Sequence, residues 1–195
     1  MGVRAAGVLR LGRQCFEPGQ LLVMAMVVAS LDEARSAVAE GADIVEVSSA
    51  GLVTAVREEY PSLVIGVRTG REDVAREACA AGADLLSGGS WSGVAAEFGV
   101  GVVCPPAFAV EAGVEPERVI VEGESGSAAD LVGTGWPVLV SLSEGPGDLA
   151  RAAVLGWLGV RVFRVQGVRE TRRALRMVSA IRGDVPPACA VRGLA

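Results

Sequence analysis

The chain has 195 residues, 51% of them apolar, with a net charge of −5 and an isoelectric point near 4.9. That is one domain's worth of chain with enough apolar content to fill a core, and its acidity speaks against a nucleic-acid partner, which needs a basic patch. All 18 basic residues are arginine, and histidine, lysine and asparagine do not occur, so a histidine base, a Schiff-base lysine, a Ser-His triad and a Cys-His dyad are excluded as well.

The first element is VLRLGRQCF with a turn at Gly12, which reads as a hairpin within residues 1–20. The run LLVMAMVV, 21–28, follows several arginines as a secretory signal would, but it is short and Glu17, Pro18 and Gly19 stand directly before it. It is expected to be a buried strand. Ser30 and Glu33 then have the spacing of a capping box, and residues 31–40 place Leu31, Ala34, Ala37 and Val38 on one helical face. The second strand is DIVEV (43–47) and the third LVIGV (63–67). Thr69 with Glu72 predicts a second capping box, opening a helix over 71–81 with Val74, Ala75, Ala78 and Cys79 on one face.

Five more strands follow: ADLL (83–86), VGVVC (100–104), RVIVE (118–122), PVLVS (137–141) and VRVFRV (160–165). They are continuously apolar, as parallel strands covered on both faces are. A helix is expected after each, the last over 168–181 with Val168, Thr171, Leu175, Val178 and Ile181 in one stripe. Gly41, Gly82, Gly99, Gly113, Gly135 and Gly159 lie where helices must stop before the next strand. Gly-Ala-Asp at 41–43 and again at 82–84 is a weak internal repeat. Gly183, Pro186 and Pro187 end the last helix and release a tail, 183–195.

Eight βα units predict one α/β domain over 1–195, a closed (β/α)8 TIM barrel with short βα loops, its bottom closed by the N-terminal hairpin. An open doubly wound sheet is the alternative, but no dinucleotide fingerprint is present. No run reaches the ~18 apolar residues of a membrane helix. Cys15, Cys79, Cys104 and Cys189 form no Cys-x-x-Cys pair, so neither a zinc site nor a disulfide framework is expected. Reduced thiols place the chain in the cytoplasm.

Barrel chemistry sits at the C-terminal ends of the strands. Here those ends offer Ser30, Ser48, Arg68, Ser87, Cys104, Glu122, Ser141, Ser143, Arg164 and Gln166, a thin set. Glu46 and Glu122 could form a carboxylate pair, or each could meet an arginine, Arg68 or Arg164, and the second reading is the commoner fate of strand-borne carboxylates. The loops GESGS (123–127) and SEGPGD (143–148) could present backbone N–H groups to an anion, with Arg164 completing the site. They are equally ordinary tight turns. Cys104 lacks a base and reads as an inert buried thiol.

With these strand ends in view, the chain resembles the dihydropteroate synthase family, and most of all its second, paralogous branch in high-GC bacteria. The resemblance runs from about residue 9 onwards and is strongest in LLVMAMV (21–27), EGADIVEV (40–47), REDVAREACAAGADL (71–85), VAAEFGVGVVC (94–104), TGWPVLVSLS (134–143), VRVFRVQGVRETRRALRMVSAI (160–181) and VRGLA (191–195). It implies a pterin-binding barrel that joins a dihydropterin pyrophosphate to para-aminobenzoate with the help of magnesium, in folate biosynthesis. The motifs that the resemblance assigns to this transferase chemistry are degraded. The asparagine after the first strand falls at Val28, and the loop behind it is missing. The glycine-rich loop after the second strand is reduced to Ser48-Ser49-Ala50. The aspartate of the third strand falls at Arg68 and the asparagine of the fourth at Ser87. The aspartate of the sixth falls at Glu122. The Ser-Arg-Lys motif leaves Ser143, with Gly145 near its lysine. Arg-Val-His of the eighth strand reads Arg164-Val165-Gln166.

An aspartate replaced by arginine inverts a charge where an acceptor was needed, and a site that leaves a polar ligand unpaired rejects it by ~10⁴-fold. The expectation is therefore a dihydropteroate synthase-like pseudoenzyme with no catalytic residue, no metal, and no cofactor unless magnesium accompanies a retained parent activity. A weakly active or repurposed transferase is the alternative. Candidate ligand residues are Arg164, Ser143, Glu122, Arg68, Ser87 and Gln166, for a small anionic ligand. The segment LARAAVLGWL, 149–158, is apolar around most of its circumference, which predicts a second cover. A homodimer through this helix would supply it, and the resemblance implies the same, because family members commonly dimerise through their C-terminal helices. The competing cover is the tail, 183–195, folded back over it.

Overall fold

The computed structural model describes residues 7–111 and 113–184. Eight parallel strands close into a barrel: β3 (Leu22–Val28), β4 (Ile44–Val47), β5 (Val64–Arg68), β6 (Leu85–Ser87), β7 (Gly101–Cys104), β8 (Val119–Gly123), β9 (Val138–Ser141) and β10 (Val162–Val165). Each pairs with the next, and β10 returns to β3. The preceding β1 (Leu9–Leu11) and β2 (Gln14–Phe16) form the expected antiparallel hairpin, turning at Gly12 with φ +56°. The helices are α1 (Leu31–Glu40), α2 (Ala50–Glu59), α3 (Glu72–Ala80), α4 (Ser92–Phe98), α5 (Ala128–Val132), α6 (Pro146–Leu158) and α7 (Val168–Arg182).

Strand alternation divides the core into two shells. Outward-facing Val23, Val45, Ile65, Leu86, Val102, Val121, Val140 and Phe163 pack under the helices. Inward-facing Leu22, Met24, Ile44, Val64, Leu85, Val103, Ile120, Leu139 and Val162 fill the lower barrel together with Leu9, Leu11 and Phe16 of the hairpin. Both faces of every strand are therefore apolar over most of its length, which is why the sequence runs are continuous rather than alternating.

The hairpin is tied on by Arg161, a side chain that is almost fully buried. Its guanidinium donates to the carbonyls of Gly7, Phe16 and Glu17 at 2.5, 3.2 and 2.8 Å. Burial lowers its pKa.

The capping box at α1 forms. Ser30 Oγ accepts the Glu33 N–H at 3.2 Å, and the Glu33 carboxylate accepts the Ala29 N–H at 2.8 Å. At the other end, Gly41 takes φ +100° and stops the helix. Two expectations are corrected. Thr69 does not cap α3. The strand runs on to Arg68, the helix starts at Glu72 behind Arg71, and Thr69 Oγ instead accepts the Arg71 N–H at 3.0 Å in a local turn. Among the described residues no α-helix follows β7 either. Two 3-10 turns, Pro106–Phe108 and Pro116–Arg118, span the described part of that connection, each with a proline at its first position. Gly113 accordingly has φ +62° without a helix before it. The tail beyond Asp184, with Cys189, lies outside the described residues.

The top of the barrel is trimmed close. Two residues link β3 to α1, two link β4 to α2 and two link β10 to α7.

Candidate functional site

The inward positions one layer above the apolar filling are polar: Glu46 on β4, Ser87 on β6, Glu122 on β8, Ser141 on β9 and Arg164 on β10. They form one network. Arg164 Nη1 donates to Glu122 Oε1 at 2.6 Å and to Ser141 Oγ at 3.2 Å. Its Nη2 donates to Glu46 Oε1 at 3.0 Å, and Ser87 Oγ donates to the same oxygen at 2.6 Å. The Arg164 and Glu46 side chains are 2% and 1% exposed, while Glu122 is 37% exposed. Two carboxylates face one guanidinium, so the layer carries one net negative charge. Of the two carboxylate readings, the structure selects the ion pair, but both carboxylates choose Arg164 and neither takes Arg68. Glu46 Oε2 and Arg164 Nε have no hydrogen-bond partner among the described residues.

Above this layer lies a cavity of about 800 Å³, bounded by the ends of β3, β5, β9 and β10 and by α1. One wall is apolar. The pairing of β3 with β4 jumps between Ala25 and Val28, so that Met26 and Val27 together oppose Glu46 alone. At this bulge Met26, Val27 and Val28 line the cavity with Val168. Arg68, Arg164 and Gln166 supply polar side chains to the lining. Arg68 has the inward parity of Val64 and Gly66 but stands at the lip, exposed.

The acidic groups of α1 at this mouth are committed. Asp32 pairs with Arg35, Glu33 accepts the Ala29 N–H, and Glu40 faces Arg169 at 3.6 Å. Arg164 is committed to two glutamates. Arg68 has no ion pair or hydrogen bond of its side chain among the described residues, and it alone of the charged groups lining the cavity is uncommitted.

Of the candidates, Arg164, Glu122 and Ser87 are brought into one network, and Arg68 and Gln166 line the cavity with Arg164. Ser143 is not brought to them. It donates to Asp148 at 2.8 Å and lines a different cavity with Glu144, Gly145, Asp148 and Glu170. That neighbourhood is acidic, and the 145–147 loop has become the first turn of α6. The anion site drawn around Arg164, Ser143 and this loop thus splits into two places.

Glu46 and Ser141 are the network members that the strand ends understated. Both sit at the same inward parity as Arg164, which is the signal that finds them. The α1 acids carried no such signal, since they lie on a helix outside the strand pattern.

The donor set does not fit magnesium. Val28 stands at the end of the first barrel strand without a side-chain oxygen to offer, and no group of three or more Cys, Asp or Glu converges among the described residues. Cys104 is buried at the end of β7, and burial raises its pKa.

No family model matches the chain. Among curated proteins it is 33% identical to the inactive dihydropteroate synthase 2 of Mycobacterium tuberculosis strain H37Rv, over 86% of this chain and 80% of the relative. It is 34% identical to the protein of the same name from Mycobacterium leprae, over 83% of this chain and 85% of that one. The first alignment extends over 254 positions, more than the chain's 195 residues, so the relative carries stretches that this chain lacks. Among solved structures, Mycobacterium tuberculosis Rv1207 superposes with a TM-score of 0.83 at 35% identity, over 94% of this chain and all of that one. A Coxiella burnetii dihydropteroate synthase in complex with pteroic acid gives 0.76 at 18% identity, over 92% and 100%, a likeness of fold.

Proposed function

The chain belongs to the dihydropteroate synthase family, and from that premise we propose that it has lost the condensation of pterin with para-aminobenzoate and serves as a non-catalytic binding protein. The observation that carries the reading is the layer beneath the mouth. Arg164 is buried between Glu46 and Glu122 and gives one bond from each Nη to them. A guanidinium so held is a poor partner for a pyrophosphate, and the surrounding excess of negative charge repels one. Arg68 stands where the resemblance implies an aspartate, so the pterin's donors meet a donor. The loops that would exclude water are two residues long.

The test is direct. Purified protein with dihydropterin pyrophosphate, para-aminobenzoate and magnesium is expected to release pyrophosphate no faster than a protein-free control. Pteroate formation, or rescue of a strain lacking its dihydropteroate synthase, would overturn the reading.

The reading carries three further parts. The protein uses no magnesium, in keeping with its donor set. It resides in the cytoplasm, in keeping with an exposed free thiol at Cys15 and with described helices that are nowhere long and apolar enough to cross a membrane. It forms a homodimer through α6. Val154, Trp157 and Leu158 on that helix are 58%, 56% and 49% exposed, and Met177 and Ile181 extend the apolar surface along the neighbouring α7. A contiguous patch of this kind marks an interaction face, and a second copy of the chain is the cover that a two-fold axis supplies.

A further inference from the structure

We infer that the second cavity, between the β9–α6 connection and the first turns of α6 and α7, takes a primary alkylammonium. It shares no lining residue with the cavity at the mouth, so the inference goes beyond the reading of the mouth and stands apart from it. The cavity has about 400 Å³, within the range of small-molecule sites. Charge sets the sign of the ligand. Glu144, Asp148 and Glu170 line the cavity, and no basic residue does. Asp148 is held by Arg151 and by the Ser143 hydroxyl, whereas the carboxylates of Glu144 and Glu170 have no ion pair or hydrogen bond among the described residues. Gly145 and Gly167 stand at the two helix N-termini without a side-chain cap, so each terminus adds about half a positive charge. Three carboxylates, less Arg151 and the two termini, leave roughly one negative charge, which matches a monocation.

Acidic residues in the first turn serve a helix without any ligand. What points to a ligand is a hydroxyl in the same wall. Thr171 is 4% exposed and lines the cavity, and its Oγ has no hydrogen-bond partner among the described residues. A buried hydroxyl left without a partner costs stability, and an ammonium N–H supplies the missing partner. Glu170, its neighbour on α7, folds back along the helix start, with Oε2 3.5 Å from where a Cβ on Gly167 would stand. These two groups form the anchor. Leu142, Pro146 and Leu149 give the alkyl body an apolar wall. A metal ion does not match the cavity, because no three of its carboxylates converge on one point.

The probes are butylammonium, butyrate and magnesium, read by amide chemical shifts and by calorimetry on the full chain. All are compared at one ionic strength, because salt screens exposed charges. Butylammonium is expected to move the amides of Leu149, Gly167, Glu170 and Thr171 saturably. Butyrate and magnesium are expected to bind at least ~10-fold more weakly, the one for its charge and the other for want of converging ligands. Glu170→Gln and Thr171→Val are each expected to weaken butylammonium ~5-fold. Glu170 is exposed, so its replacement does not threaten the fold, and a thermal midpoint checks Thr171→Val. Glu58→Gln removes the same charge from an exposed position near the end of α2 and is expected to leave binding unchanged. Absence of saturable butylammonium binding, binding unchanged in Glu170→Gln, an equal loss in Glu58→Gln, or butyrate or magnesium matching butylammonium would each overturn the inference.

Discussion

Arg164 is buried between two glutamates in the barrel, and that has a measurable consequence. Removing it leaves Glu46 charged and nearly inaccessible, which costs about 3–5 kcal/mol. Arg164→Met is therefore expected to lower the denaturant midpoint strongly. Adding Glu46→Leu to it removes the stranded charge, and most of the lost stability is expected to return. A double-mutant cycle in urea checks this, and simple additivity would show that the pair is not coupled. Cysteine chemistry is also decided residue by residue. Cys15 is exposed, while Cys79 and Cys104 are buried, and burial pushes the Cys79 thiol up to about 11. In the native protein a neutral-pH alkylating reagent is expected to modify Cys15 quickly and to leave Cys79 and Cys104 until the chain unfolds. The sign of the pH effect follows. The unfolded chain releases the Cys79 proton at the ordinary thiol value and the folded chain only near pH 11, so stability is flat at neutral pH and falls between those two limits. A series of midpoints from pH 7 to pH 10.5 measures it.

At the scale of elements, the local rules decide where helices begin and what holds the hairpin. Ser30 caps α1 through the Glu33 N–H, so Ser30→Ala is expected to cost about 1 kcal/mol, seen as a lower thermal midpoint. Arg161 is the stronger device. It carries a charge into the barrel floor to serve three carbonyls of the N-terminal segment. Arg161→Met leaves those carbonyls without their donor and is expected to raise hydrogen exchange across 9–16 while leaving the upper barrel protected. Uniform protection across both would show that the hairpin is held by Leu9 and Leu11 alone. The contrast between Ser30 and Thr69 shows how far sequence signals reach. Both precede a glutamate by three residues, yet only Ser30 stands immediately before its helix, because β5 runs on to Arg68 and shifts the following turn.

For the whole molecule, the ring of helices is uneven. Two 3-10 turns stand where a helix was due between β7 and β8, and Phe108 and Val110 are exposed there. On the other side, α6 and α7 show Val154, Trp157, Leu158, Met177 and Ile181. If this second surface is the dimer face, sedimentation at micromolar concentration is expected to give about twice the 19.9 kDa of the chain, and Trp157→Glu to give the monomer, since buried aromatic anchors dominate such contacts. A wild-type chain that remains monomeric as concentration rises would refute the dimer.

The sequence by itself determined the barrel. Eight continuous apolar runs, each ended by a turn signal, leave a closed parallel sheet as the arrangement that buries both faces of every strand, and the missing histidine, lysine and asparagine limit its chemistry before any coordinate is known. For Glu46 and Glu122 the sequence left two readings, a carboxylate pair or an arginine partner for each, and weighed towards the arginine as the commoner fate of strand-borne carboxylates. Tertiary structure decided which arginine. Arg68 and Arg164 are both inward by strand parity, but Arg164 lies within the polar layer and Arg68 one step above it at the lip. The stagger of tilted strands sets that difference, and no local pattern encodes it. Ser143 lies in the connection between β9 and α6, and its bond to Asp148 in the first turns of α6 holds it in a second, acidic cavity while Arg68 lines the cavity at the mouth.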